Sequence, residues 1–246
     1  MAPARALVII PSRLAASRLP NKPLALIGAD PMIVHVLRSA EAAEIGPVLV
    51  ACGDQEIADA VNSAGGQAVL TDPNLPSGSD RVWAAALEFD PGATFDVIVN
   101  VQGDLPTLEP ALVGAAVDAL EEGGADIGTL VAAITDTEEA NDPNVVKAAV
   151  DYSEGRSVAR ALYFSRSCIP SGDGPHYHHI GIYAYRRDAL ARFVGAPATG
   201  LEKRERLEQL RAMELGMTIS AGLVDTIPFG VDTPADLERA RRLLAG

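Results

Sequence analysis

The sequence predicts an α/β fold: a mostly parallel, Rossmann-like sheet with helices on both faces, carrying an inserted smaller lobe. Three observations predict it. Short, near-continuous apolar runs alternate with helical patterns through the first half of the chain, as in strands buried on both faces. The 246 residues are 48% hydrophobic but only 4% aromatic, which suits one domain of small side chains packed closely on a sheet. From about 136 to 222 the rhythm changes to short strands and one long charged helix, the pattern of a lobe built onto the first sheet.

The elements come in this order. "ALVIIP" (6–11), "PVLVAC" (47–52), "QAVLT" (67–71) and "DVIVNVQ" (96–102) read as the buried strands. Between them, "PMIVHVLRSAEAA" (31–43) has Pro31 near its first turn. "DQEIADAVNSAGG" (54–66) opens on Asp54 as a candidate N-cap and closes on two glycines. Helices over 79–89 and 109–124 complete the set, and the alternation with ordinary loops predicts parallel pairing. The lobe is expected to hold strands in "VVKAAV", "ALYFS" and "HHIGIYAYR" and a helix over 201–216. A strand in "TISAGLV" and a helix over 234–244 close the chain, read as one domain over 1–246.

Charge narrows the function. A formal net charge of -13 argues against a sequence-independent grip on nucleic acid, which needs a basic face to displace counterions. It argues equally against an anionic membrane surface. No run approaches the length of a bilayer span, and the opening apolar run is stopped by Pro11, short of a signal-peptide core. Cys52 and Cys168 lie far apart and read as reduced thiols, so the protein is expected to be soluble and cytoplasmic.

Ligands in open α/β sheets bind beyond the carboxyl ends of strands, and three strand exits are unusual. The first, "PSRLAASRLPNKP", holds Arg13, Arg18 and Lys22, with no Asp or Glu before Asp30. Guanidinium forks and a mobile ammonium suit a polyphosphate, with Ser12 and backbone amides as neutral donors. A solvated basic loop is the alternative, and composition alone leaves both open. Neither a P-loop nor a dinucleotide glycine fingerprint is present. At the second exit, "NVQGD", Gly103 permits close approach and Asp104 stands just past the strand, placed to hold Mg²⁺ or to cap the next helix or turn. At the third, "VDTPADLERAR", Thr233, Pro234 and Asp236 are explained as a helix start, which leaves Asp232 for a cleft and a possible second metal carboxylate.

"RLPNKPL" after a first strand resembles the signature of sugar nucleotidyltransferases, whose loop embraces a nucleotide triphosphate. With "NVQGDLP", "LPSGSDRV", "NDPNVVK", "YFSR", "HHIGIYAYRR" and "LEKRERLEQLR" in the same order and similar spacing, the chain resembles one branch along nearly its whole length: the 3-deoxy-D-manno-octulosonate (Kdo) cytidylyltransferases. The resemblance implies transfer of a cytidylyl group from CTP to the sugar acid, giving CMP-Kdo and pyrophosphate for lipopolysaccharide synthesis, with Mg²⁺ as cofactor. It implies Arg13, Arg18 and Lys22 on the triphosphate, with Lys22 nearest the transferring phosphate, and Ser77, Arg81, Gln102 and Gly103 against the cytidine. It implies Asp104 and Asp232 as the Mg²⁺ ligands. Gln102, His179, Tyr183, Glu208 and Gln209 would hold the sugar acid, with Arg166 close by. It further implies a homodimer made through the 136–222 lobe. This chain departs from the family pattern at Leu105, where many members have Glu, at Asp80 in place of Glu, and in a shorter 170–178 segment.

His176, His178 and His179 invite a zinc reading, but neighbours on a strand point to opposite faces and no cysteine completes a ligand pattern. A neutral His179 facing sugar hydroxyls is the preferred role. Two other functions stand beside the first: a cytidylyltransferase for another acidic sugar, such as amino-Kdo or a nonulosonate, and a non-catalytic nucleotide-binding regulator. The retained pair Asp104 and Asp232 disfavours the regulator.

Overall fold

The structure, a computed structural model, describes residues 5–15 and 19–245. The chain forms two compact units, residues 1–114 with 228–246 and residues 115–227. The expected lobe at 136–222 falls inside the second.

In the first unit, β1 (Ala6–Ser12) leads through a basic loop to a two-residue hairpin, β2 (Leu26–Ile27) and β3 (Asp30–Pro31). Next come α1 (Met32–Glu41), β4 (Val48–Cys52), α2 (Gln55–Ser63), β5 (Gln67–Leu70), α3 (Gly78–Phe89) and β6 (Val97–Asn100). The strands lie parallel in the order β5-β4-β1-β6. Every residue of β4 and β6 is buried, as continuous apolar runs predict, while β5 is a half-exposed edge. α4 (Pro110–Gly123) runs over the boundary between the units.

A small apolar cluster fixes the far end of the basic loop. Ile27, Met32, Val231, Leu237 and Ala240 are buried together, with Leu19, Ala25 and Phe229 packed on them. These residues come from the loop, the hairpin, the start of α1, the segment before the helix Pro234–Leu244 and that helix, so burial ties segments some 200 positions apart in sequence, and Lys22 and Asp232 with them. Arg241 Nε donates to the Leu26 carbonyl at 2.8 Å on the same seam. A truncation such as Met32→Ala would cost about 2–5 kcal/mol and loosen that seam.

In the second unit the central strand is β7 (Ile127–Ile134), which sequence reading does not single out. Its run "IGTLVAAI" is apolar enough, but it sits directly behind a helix of similar composition. After it come α5 (Thr137–Asn141), β8 (Lys147–Ala149), β9 (Val158–Arg160), β10 (Tyr163–Ser165), β11 (His176–Arg186), α6 (Arg187–Val194), α7 (Gly200–Glu205), α8 (Gln209–Glu214) and β12 (Ile219–Val224). β7 pairs antiparallel with β11 and parallel with β12, and β12 pairs antiparallel with β9. β8 joins β11 to β10. The sheet here is mixed.

The single helix expected over 201–216 is two short ones. Arg206 adopts a left-handed conformation with φ 58°, ending α7. The break sends Leu207 inward to 5% exposure. It also brings Arg211 back on Glu202, with Nε and Nη2 reaching the two carboxylate oxygens at 2.9 and 2.6 Å. A buried side chain and a bidentate ion pair outweigh the helical periodicity of the sequence.

Candidate active site

Three strand or helix edges of the first unit meet at one ammonium group. Lys22 opens a 3-10 turn, Lys22–Leu24, entered through Asn21 in a left-handed conformation. Its Nζ donates to Asp104 Oδ2 at 2.7 Å, to the Val231 carbonyl at 2.9 Å and to Asp232 Oδ1 at 3.1 Å. All three N–H donors are therefore used on oxygen. Burial alone would lower the lysine pKa, but the charges and hydrogen bonds of Asp104 and then Asp232 outweigh it and hold the group above its usual range.

Each partner is placed by local structure. Gly103 is needed less for a ligand than for the fold, since a Cβ there would lie 2.9 Å from the Pro11 carbonyl. That close approach of two strand exits sets Asp104 beside the basic loop, and the Asp104 carbonyl accepts from Val231 N at 2.9 Å. Thr233 and Asp236 form the reciprocal capping box the sequence predicts. The box leaves the Asp232 carboxylate to face Lys22.

Two cavities open beside this cluster and share a wall of Pro11, Ser12, Arg13 and Gln102. The larger, about 300 Å³, is completed by Ala15, Lys22, Pro23, Gly103 and Asp104. The smaller, about 120 Å³, is completed by Leu75, Ser77, Gly78 and Arg81. Of the residues expected on the nucleotide, Arg13, Lys22, Ser77, Arg81, Gln102 and Gly103 thus line one cavity or both. Arg18 lies outside the described residues.

Two of these side chains are already engaged. Ser77 caps α3, accepting from Asp80 N at 3.2 Å and donating to Asp80 Oδ2 at 2.6 Å. Asp80 therefore holds the capping hydroxyl of Ser77 in place through both its backbone N–H and its carboxylate. Arg81 is 2% exposed and donates to Thr71 Oγ1 at 2.6 Å and to the carbonyls of Asp72 and Pro73. It clamps the loop that walls the smaller cavity. Gly53 makes room for it, because a Cβ there would meet Arg81 Nη1 at 2.9 Å and Arg13 Cβ at 3.2 Å.

Sequence reasoning read Asp54 only as an N-cap and missed its role at the basic loop. It stands at the N-cap position of α2 but makes no side-chain cap bond, and its Oδ2 instead accepts from Leu14 N at 2.7 Å. The acid-free basic loop is thus anchored by a carboxylate from outside it. The run "CGDQE" after a buried strand is the signal that marks this position.

The residues present fit a hard divalent cation. Two carboxylates and a carbonyl converge on one positive charge, all oxygen donors, with neither thiolate nor imidazole among them. Among the described residues there is no cluster of three or more His, Cys, Asp or Glu that would hold a metal by protein ligands alone. A two-carboxylate site completed by water and phosphate oxygen is the habit of Mg²⁺.

The residues expected on the sugar lie in the second unit. His179 is buried, edge-on to Phe164 at 4.8 Å and tilted against Tyr183 at 5.5 Å. Its Nε2 lies 3.0 Å from Thr129 Oγ1, whose single proton is also within reach of the Ile180 and Ile182 carbonyls. The network is satisfied when Nε2–H donates to Thr129 and the hydroxyl donates to a carbonyl, leaving Nδ1 as an acceptor. Tyr183 has its phenol pKa raised well above the usual value, by burial first and then by Tyr185 and Glu208. His179 and Tyr183 therefore stand together, and Tyr183 feels the charge of Glu208. Gln209 is buried at the start of α8. Arg166 spends its guanidinium on the carbonyls of Glu205, Pro143 and Arg206, holding the α7 terminus rather than standing open.

Burial, and then the charge of His178, push the His179 pKa down to about 3. In the unfolded chain the ring titrates near 6.5, so below that pH the unfolded state binds the extra proton. The stabilisation is complete above about 6.5 and is lost as pH falls toward 3. Denaturant unfolding should lose about 2 kcal/mol between pH 7 and pH 5 through this group. A His179→Gln variant should show a shallower loss; an unchanged slope would remove the assignment.

The profile of the cytidylyltransferase family matches residues 7–219. A 3-deoxy-manno-octulosonate cytidylyltransferase of Paramagnetospirillum magneticum is 59% identical over 244 residues, covering 99% of each chain. Another, of Parvibaculum lavamentivorans, is 63% identical over 239 residues, covering 97% of this chain and 92% of its own. Among solved structures, a CMP:2-keto-3-deoxy-manno-octonic acid synthetase complexed with CTP superposes with a TM-score of 0.88 at 38% identity, covering 98% of this chain and 99% of its own.

Proposed function

This chain belongs to the 3-deoxy-manno-octulosonate branch of the cytidylyltransferase family, and we propose that it transfers the cytidylyl group of CTP to Kdo, releasing pyrophosphate. Beyond that membership, the observation that carries the reading is the Lys22 ammonium gripped by Asp104 and Asp232, with Lys22 and Asp104 lining the larger cavity. Arg13 and Lys22 line that cavity, supplying the positive side chains a triphosphate requires.

In this mechanism the anomeric hydroxyl oxygen of the sugar acid forms a bond to the α-phosphorus as the bond to the pyrophosphate oxygen breaks. The hydroxyl proton passes to solvent water, and the electron pair of the broken bond leaves with pyrophosphate. Such a transfer depends on positioning and charge neutralisation more than on covalent help. Arg13 and Lys22 offset charge on the leaving group, and Arg18 joins them in the family pattern. Ser77, Arg81, Gln102 and Gly103 bound the nucleoside. Asp104 and Asp232 would hold Mg²⁺, which when bound supplies Lewis-acid polarisation of phosphate oxygen. In the family pattern the second-unit residues His179, neutral and with Nδ1 as acceptor, Tyr183, Glu208 and Gln209 orient the sugar acid.

We read the active protein as a cytoplasmic homodimer that contacts its partner copy through the second unit, where Leu162 is 64% exposed. No helix among the described residues is long and apolar enough to cross a membrane. The test of the function is pyrophosphate release from CTP and Mg²⁺ against a panel of sugar acids. Kdo should turn over fastest; turnover with amino-Kdo or a nonulosonate but not with Kdo would reassign the substrate.

A further inference from the structure

We infer that the hydroxyl of Ser12 is a nucleotide-binding donor, aimed at the ribose–α-phosphate segment of the bound CTP. Ser12 ends β1 and is only 6% exposed. Its backbone is occupied, the carbonyl accepting from Gly53 N at 2.9 Å. Its Oγ is buried with no hydrogen-bond partner among the described residues. A buried hydroxyl left unpaired is costly, and such an atom in a binding site is explained when a ligand completes it. Asn100 Oδ1 is similarly orphaned, but Asn100 lines neither cavity.

Position decides which part of the ligand Ser12 meets. It belongs to the wall that the two cavities share. The larger cavity, with Lys22 and Asp104, has the charges for the β- and γ-phosphates. The smaller, with Leu75, Ser77, Gly78 and Arg81, has the mixed lining for a nucleoside. A nucleoside triphosphate lying through both passes its ribose and α-phosphate over the shared wall. Ser12 holds a neutral, short donor there on a rigid strand end, beside the bond that breaks. Removing it should weaken binding without removing charge.

The inference rests on the proposed CTP-dependent function, and Ser12→Ala tests it by two readouts of opposite sign. Ligand-free Ser12→Ala should melt no lower than wild type and by as much as about 2–4 °C higher, since an unsatisfied buried hydroxyl is gone. Calorimetric affinity for CTP should fall by about threefold to tenfold, the scale of one hydrogen bond. CMP, which keeps the cytidine and the α-phosphate without the other two phosphates, should weaken by the same factor, while inhibition by pyrophosphate, which lacks ribose and α-phosphate, stays unchanged. A lower melting point with CTP affinity intact would make Ser12 a structural residue and overturn the inference. So would a loss seen with pyrophosphate but not with CMP. Failure of the wild type to bind CTP would sink the functional reading and this inference together, whereas wild-type affinity in Ser12→Ala sinks only the latter.

Discussion

Replacing Asp104 by Asn should lower kcat by about a thousandfold, because a bound cation supplies several kcal/mol of charge stabilisation and each 1.36 kcal/mol is tenfold in rate. The fold should tolerate the change. Lys22 keeps Asp232 and the Val231 carbonyl as acceptors, and the Asp104 side chain is 35% exposed, so water screens what is lost. Asp232→Asn should act in the same direction. On the proposed reading both carboxylates would hold one cation, so the double variant should be hardly worse than the poorer single, as residues acting as a unit are not additive. Steady-state kinetics with a Mg²⁺ titration report all three. A wild-type kcat for Asp104→Asn at saturating Mg²⁺ would remove the metal role from this residue.

How far the sequence foretold this site depends on the kind of signal each part leaves. The parallel strands β1, β4 and β6 are legible because burial on both faces forces continuous apolar runs, and the edge strand β5 is legible from its place in the strand–helix alternation. The exclusion of Asp232 from helix capping is legible because Thr233, Pro234 and Asp236 satisfy the cap by themselves. β7 is not, since an apolar strand directly after an apolar helix differs from it only in pairing, which is a long-range property. The break at Arg206 is hidden for the same reason: nothing local in "KRERLEQ" marks a left-handed residue, and the pair Glu202–Arg211 that rewards it forms only after folding. Among site residues, motif resemblance named side chains that line the two cavities, but not the structural task each one has. Ser77 and Arg81 line the smaller cavity while holding α3 and the 71–73 loop, and Arg166 braces α7. Asp54, which anchors the basic loop at Leu14, shows no sign of that task beyond its place after a strand.

Lys22→Met should move two measurements in opposite directions. The methionine keeps most of the buried stem but removes the ammonium, so kcat/KM for CTP should fall by about a hundredfold or more, the scale of losing one preorganised charge partner in a site of this kind. Metal binding by the ligand-free protein should instead tighten. In the wild type the Lys22 ammonium takes Asp104 Oδ2 and Asp232 Oδ1 at 2.7 and 3.1 Å, so a divalent cation must compete with a charge already in place. The raised pKa of Lys22 keeps that competitor protonated throughout the neutral range. A triphosphate would draw the ammonium toward its own oxygens and release the carboxylates, coupling nucleotide and metal through one side chain. Mn²⁺ titration followed by electron paramagnetic resonance, with and without CTP, measures this directly. In the wild type CTP should strengthen Mn²⁺ binding, and in Lys22→Met Mn²⁺ should bind without CTP, with much of the coupling gone. If the variant binds Mn²⁺ no better than wild type in the absence of nucleotide, Lys22 is a phosphate ligand only, and its place between the two carboxylates does not regulate the metal.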